Sequence, residues 1–403
     1  MLASHLYSRS SVQNGASSLP PIRFGPSLLP RRPLVTFTFL HGIFRNKGGG
    51  IGFEPPISLL RPSDSPTRAA QPFFKIGHEG ASDLGSALAK CTNLSNLTLI
   101  LNFNKIGAIG ASSLISALAK CTNLSNLNLD LSNNKIGDEG VTSLGSALAK
   151  CTNLSNLTLN LNYSKISDEG AQGLCTALVK CINLSNLELY LNGNQINDEA
   201  ASGLGSALSK CINLSNLILE LSGKNIDDQS AQRFGSSLAN CTNLSNLTLN
   251  LFDCKISNQV ASRLVSALAN CTNLSYLVLN LQLNQINDQG ALGLGSALAN
   301  CTNLSKLILL LGKNQIGDEG TSRLGYALAN CTNLLSLTLY LNNNQIGDQG
   351  ASRLGSALAN STNLSNLTLL LCNNQIYVSQ QLKIKSKCLK SKRLVLFEIN
   401  FQW

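Results

Sequence analysis

Leucines recur at 94, 97, 99 and 101, at alternate positions over the last three, and a second spacing follows at Ala111, Leu114, Ala117 and Leu118. The first run reads L-x-x-L-x-L-x-L, the period of a strand with one buried face, and predicts a short strand at about Ser95–Asn102. The second run falls at i, i+3, i+6 and i+7, one stripe of a helix. The whole unit, Cys91 to Lys120, returns at Cys121, Cys151, Cys181, Cys211, Cys241, Cys271, Cys301 and Cys331 every 30 residues without insertion or deletion, and again from Ser361. A fixed period of this kind marks an array whose units bury their apolar faces only against their neighbours. Because the units all run the same way, the strands must be parallel and the helices must form the opposite layer. The expected fold is therefore an open α/β solenoid of about ten 30-residue units.

The polar positions sharpen each turn. Between strand and helix stands Asn104, repeated as Asn134, Asn194, Asn284, Asn314, Asn344 and Asn374. An amide side chain both donates and accepts, so a stack of asparagines can satisfy the backbone of its own turn and of the adjacent one. Three units carry Ser164, Lys224 and Cys254 instead, where irregular geometry is expected, with Asn225 substituting for Lys224. Asp138 stands where an N-cap belongs, with Glu139 at the positive end of the helix dipole.

The ends depart from this regularity. All ten prolines lie at or before Pro72, and residues 1–53 contain no acidic residue, so 1–72 read as a disordered leader rich in Pro, Ser and Arg. An organellar transit segment or an upstream start codon are alternatives for it. Leu34–Phe44 is apolar but about half the length a membrane span needs. The array then occupies 73–403. Leu394, Phe397, Ile399 and Phe401 stand 300 residues after Leu94, Leu97, Leu99 and Leu101, so 377–403 is read as a diverged capping repeat with a final strand, covered by Phe397, Phe401 and Trp403. At the other end Ile76, Ala81, Leu84, Ala87 and Leu88 supply a helix with no strand before it; either residues before Phe73 cover the first strand or the array is longer.

Charge and cysteine narrow the function. The net charge of +10 resides in the ends: 1–72 and 383–403 hold most of the excess, leaving 17 basic against 18 acidic residues in 73–382. The array itself therefore has no attraction for nucleic acid or anionic membrane, which would have to come from the termini. Nine of the 13 cysteines share one column at the turn into the strand, without metal-ligand spacing, and His5, His41 and His78 form no constellation. The column reads as small thiols packing a turn; an oxidation-sensitive ladder is the alternative, since strands about 4.8 Å apart bring the thiols close. Free thiols, N-L-S and N-L-T sequons crowded at packed strands and the lack of a signal peptide place the chain inside the cell, in the cytoplasm.

L-x-x-L-x-L followed by N-x-I and G-x-x-x-L-x-x-A-L resembles the leucine-rich repeat of the ribonuclease-inhibitor class, over about Phe74 to Phe401. The near-identical copies are also similar to arrays in proteins of ciliates and other protists. The resemblance implies a horseshoe with strands on the concave face and helices on the convex one. This chain carries one alternation more than the usual L-x-L, which predicts a strand two residues longer, or a bulge. Some protist relatives carry a kinase domain, but no glycine-rich nucleotide loop, HRD or DFG occurs here.

Recognition must come from positions that vary between units. Residues between the strand leucines face the concave side. Reading those columns gives an acidic and aromatic group, Asp130, Glu188, Tyr190 and Glu220, and a mixed aromatic and basic group, Tyr276, Lys306, Lys313 and Tyr340. Tyrosine on such a surface is a typical binding anchor. Paired carboxylates such as Asp138–Glu139 and Asp168–Glu169 recur along the array and so mark helix starts, not one active site. The expected protein is a non-enzymatic scaffold for a protein partner, with no catalytic residue, metal or cofactor. Alternatives are a GTPase-activating or other signalling regulator, which the resemblance implies, and a nucleic-acid or membrane-surface adaptor working through the basic termini.

Overall fold

The computed structural model describes residues 75–223 and 228–401, with the backbone of 34–38, all within the unit Pro33–Trp403. The rest of the leader, Lys224, Asn225 and Trp403 lie outside the described residues.

Among the described residues the strands are β1 (Leu34–Thr38), β2 (Asn96–Ile100), β3 (Asn126–Asp130), β4 (Asn156–Asn160), β5 (Asn186–Tyr190), β6 (Asn216–Glu220), β7 (Asn246–Asn250), β8 (Tyr276–Asn280), β9 (Lys306–Leu310), β10 (Ser336–Tyr340), β11 (Asn366–Leu370) and β12 (Leu396–Asn400). The helices are α1 (Gly77–Leu88), α2 (Gly107–Leu118), α3 (Gly137–Leu148), α4 (Asp168–Leu178), α5 (Asp198–Leu208), α6 (Asp228–Leu238), α7 (Asn258–Leu268), α8 (Asp288–Ala299), α9 (Asp318–Ala329), α10 (Asp348–Ala359) and α11 (Val378–Cys388). The strands form one open parallel sheet in chain order, so each unit lies beside the next. The edge of β2 is not bare: Leu34–Thr38, from the apolar run before the array, pairs parallel with Asn96–Ile100. Helices are about 10 Å wide and strands about 4.8 Å apart, so the helical layer takes the longer, convex path.

Each strand is five residues long, without the two extra residues that the added alternation suggests. The extra leucine still continues the pairing past the strand: Leu101 N donates to Asp130 O at 2.8 Å and Phe103 N to Ser132 O at 3.1 Å. No bulge is needed. Leu94, Leu97, Leu99 and Leu101 are buried on one side, and Ala111, Leu114, Ala117 and Leu118 meet them from the helix, forming one continuous core along the array.

The asparagine column forms the expected ladder. Asn134 is wholly buried; its Nδ2 donates to Leu101 O in the preceding turn (2.7 Å) and to Leu131 O in its own (3.1 Å). Its Oδ1 accepts from Asn104 N at 2.8 Å and Ile106 N at 3.3 Å. Against expectation, the turns at Ser164 and Cys254 are not irregular. The Ser164 hydroxyl reaches Leu131 O at 3.4 Å and the Cys254 thiol reaches Leu221 O at 3.4 Å, replacing the amide as donor. Their neighbours Tyr163, Lys165, Asp253 and Lys255 keep the same left-handed φ, 53–62°, that Phe103 and Lys105 show at Asn104.

The helix starts correct the sequence reading. Asp138 is not the N-cap of its own helix: α3 begins at Gly137, with Ile136 at the cap position and no side-chain cap. Instead Asp138 serves the next unit. Its Oδ1 accepts from Ser167 N (2.7 Å) and Gly170 N (3.1 Å), and its Oδ2 from Ser167 Oγ (2.7 Å), at the start of α4. The same reach joins Asp168 to Asn197 N at 2.8 Å, Asp288 to Gly317 N at 2.6 Å, Asp318 to Gly347 N at 2.7 Å and Asp348 to Tyr377 N at 2.9 Å.

This contact selects between two backbone forms. The helices α2 and α3 follow units without such an acid, since His78 and Ala108 occupy its position, and like α1 they begin on a left-handed glycine, Gly77, Gly107 or Gly137 (φ 63–67°). From α4 on, wherever the start is described, the cap residue is extended. Gly137 and Gly317 sit in nearly identical stretches, NKIGDEG and NQIGDEG, yet φ is +63° at Gly137 and −103° at Gly317. Lys165 and Lys255 precede extended caps, so the Lys-to-Gln change does not decide the form; the preceding Asp288, where the other unit has Ala108, does.

Candidate functional site

The sheet face opposite the helices carries the alternate strand positions, half-buried between the buried leucines. Three of the first group of candidates, Glu188, Tyr190 and Glu220, gather there on adjacent strands. Tyr190 at the end of β5 is in register with Glu220 on β6 and with Asn160 on β4, which in turn pairs with Asp130. Tyr190 Oη donates to Glu188 Oε2 at 3.0 Å, fixing the ring along its own strand. Asn192 Nδ2 donates to Glu220 Oε2, while Asn192 Oδ1 accepts from Ser222 N at 2.9 Å and Ser222 Oγ at 2.6 Å. Burial pushes the Glu220 carboxyl above the usual carboxylate range, and the Asn192 hydrogen bond only partly opposes this. Asp130 lies two strands from Tyr190, about 10 Å away. It accepts from Ser132 N at 2.9 Å and from Asn160 Nδ2 at 3.2 Å, so it belongs to the same surface through Asn160.

The second group does not come together. Tyr276 and Lys306 begin β8 and β9 in register, and the Lys306 ammonium stands 4.8 Å from the Tyr276 ring centroid, a cation–π pair. Tyr340, however, ends β10, two strands away and four residues further along, about 16 Å from Tyr276. Lys313 lies in the turn beyond β9, with φ 55°. Columns read along the array ignore the position along each strand, and that position separates these residues.

One feature of this face is absent from the sequence reading. Asn96, Asn126, Asn156, Asn186, Asn216 and Asn246 form a second ladder on the sheet, the Nδ2 of each after Asn96 donating to the Oδ1 of the unit before. Tyr276, Lys306 and Ser336 then interrupt it. Its signal in the sequence is the repeated asparagine one residue before the strand leucine, which as part of N-L-T also reads as a glycan acceptor. Side chains engaged in this ladder are held flat, so the interruption at Tyr276 and Lys306 marks where the face changes character.

The cysteine column is a ladder of free thiols. All are buried except Cys91, and Cys151 Sγ lies 3.6 Å from Leu118 O and from Ala147 O, the thiol donating to the two carbonyls. Burial pushes Cys151 up to about 11 and Cys181 to about 12, with the neighbouring thiols adding to the rise. Such groups are protonated at neutral pH and poor nucleophiles. Among the described residues no three His, Cys, Asp or Glu side chains are placed to hold a metal ion, and no helix is long and apolar enough to cross a membrane.

Comparison with curated proteins finds no match. Among solved structures the chain is similar to an internalin from Listeria monocytogenes, at 22% identity over 80% of this chain and 94% of that one, with a TM-score of 0.34. The Leucine Rich repeat family matches five segments, 123–145, 153–175, 183–205, 271–295 and 330–355. The units between them repeat the same leucine positions in the same phase. Five matched leucine-rich repeat segments, one parallel strand and one helix in each unit and an unbroken leucine core together give an open α/β solenoid of the leucine-rich-repeat type.

Proposed function

We propose that the chain is a non-enzymatic scaffold that binds a protein partner through the concave sheet face, at the surface formed by Asp130, Glu188, Tyr190 and Glu220. The observation that carries this reading is the fixed Tyr190 ring beside the partly desolvated Glu220 carboxylate on the neighbouring strand. An immobilised aromatic costs little entropy to bury, and a carboxylate already stripped of part of its water favours a basic group on the partner. The Tyr276–Lys306 pair forms a separate, weaker contact area, with Lys313 and Tyr340 at its far margin. The thiols and the crowded sequons suit an intracellular setting. Affinity capture of partners from cell extract with the intact chain and with Tyr190→Ala/Glu220→Ala tests the reading. Partners held by the intact chain are expected to be lost with the double variant, while both proteins keep the same circular dichroism. An unchanged set of partners would sink the concave-face assignment.

A further inference from the structure

The outward face of α11 is unlike the rest of the helical layer. Ile384 and Cys388 pack it against α10, where a Cβ on Gly355 would stand 2.8 Å from Cys388 Sγ. On its other side Val378, Leu382 and Leu389 are 71%, 80% and 54% exposed. At 3.6 residues per turn these three fall within about 40° of arc, with Lys385 about 20° beyond one edge and Lys390 and Lys383 about 80–100° beyond the other. Lys387 is tied back to Ser352 Oγ and Arg393 to Asn363 Oδ1. The ammonium groups of Lys383, Lys385, Lys390 and Lys392 have no hydrogen-bond or ion-pair partner among the described residues. We propose that this face of α11, an apolar stripe of Val378, Leu382 and Leu389 bordered by lysines, docks the array on an anionic lipid bilayer.

Three other occupants fit less well. In the preceding units this is the side against which the next helix packs, and the approach there is close: a Cβ on Gly325 would lie 3.1 Å from Leu354 Cα. Lys385 occupies the position of Gly325 and Gly355, and Val378 replaces the acid that caps the next helix, so α11 cannot receive another unit of this kind. A second copy would bring Lys383, Lys385, Lys390 and Lys392 against themselves. Nucleic acid has no use for exposed Leu382 and Leu389, and lysine lacks the planar fork that reads phosphate and base edges. A bilayer uses both parts: aliphatic side chains enter the acyl boundary while flexible lysine stems reach back to anionic headgroups.

The test is flotation of the full chain with vesicles of phosphatidylcholine alone or containing about 30% phosphatidylserine. The chain is expected to float with the anionic vesicles, to stay behind with the neutral ones, and to detach as salt rises toward about 1 M, where screening acts within about 3 Å. Lys383→Gln/Lys390→Gln is expected to weaken binding about 30-fold, from two charges near the surface. Leu382→Ser/Leu389→Ala, which places on α11 the residues Ser352 and Ala359 of the previous unit, is expected to weaken it at least about tenfold. Both pairs alter exposed positions, so the melting temperature should hold. The proposal is overturned if anionic vesicles do not carry the chain, or if either double variant floats as well as the intact chain. It is equally overturned by a dimer in sedimentation that Leu382→Ser/Leu389→Ala dissolves, or by retention of a DNA duplex without vesicle binding.

Discussion

Replacing Asp138 by alanine removes three hydrogen bonds that cross from one unit to the next: those from Ser167 N, Ser167 Oγ and Gly170 N. Losing an N-cap acceptor costs about 1 kcal/mol, and losing a negative charge at the helix start about 0.5 kcal/mol more. The chain has an alternative start, the one used by α3 after Ala108, but it puts the first residue in the left-handed region, where Gly137 has φ 63°. At α4 that residue is Ser167, for which the left-handed form costs about 1 kcal/mol or more. The helix start therefore cannot relax cheaply, and the expected loss is about 2 kcal/mol, local to α4. Because an array need not unfold in one step, the fitting assay is amide hydrogen exchange. The Gly170 amide should exchange about 30-fold faster in Asp138→Ala, with amides near β9 unchanged. The reverse change, Ala108→Asp with Gly137→Ser, should slow exchange at the start of α3. An unchanged Gly170 rate, or faster exchange in the reverse variant, would refute the cross-unit cap.

The thiols give a pH dependence with a definite sign. Folded Cys151, Cys211 and Cys331 titrate near 11 and Cys181, Cys241 and Cys301 near 12, above the unfolded value of 9.0, so the unfolded chain loses protons first as pH rises. Stability is then full below pH 9.0 and falls progressively toward about 12, which urea midpoints across that range will show as a steep decline. Substituting alanine for Cys181, Cys241 and Cys301 should flatten the curve. In the turn ladder, Asn134→Ala leaves buried carbonyls and amides without partners and should cost about 3 kcal/mol. Asn134→Ser, the residue that unit 164 already uses, should cost about half as much, both read from urea midpoints.

Much of the fold can be read from the chain because the leucine spacing states both periods, and repetition fixes their phase ten times over. The asparagine turn was equally legible, since its chemistry is local: an amide sees its own turn and one neighbour. What local reading misses is any contact made across units. Asp138 lies in its own helix's first turn by sequence and caps another helix in space, 29 to 32 residues on. The same limit applies to the candidate site. Glu188, Tyr190 and Glu220 gather because they share one strand or lie on adjacent ones, while Asp130 stands two strands from Tyr190. Tyr276 and Tyr340 do not gather, because one begins its strand and the other ends it. Ser164 and Cys254 keep the standard turn because each supplies the hydrogen-bond donor that the turn carbonyl of the preceding unit requires.

The cap that each unit extends to the next also bears on how such a chain can change length. From α4 to α10 a unit excised or duplicated as a block of 30 residues still receives a carboxylate or amide oxygen from the unit before it and offers one to the unit after, as Asp138 does for Ser167 and Asn258 for Asn287. Gain and loss of whole blocks are therefore neutral at the level of contacts, whereas a block copied ahead of α3 would follow His78 or Ala108 and would need a glycine at its helix start. Growth by duplication is thus confined to the stretch after α3, and there it can proceed by recombination among near-identical copies without redesign of a single junction.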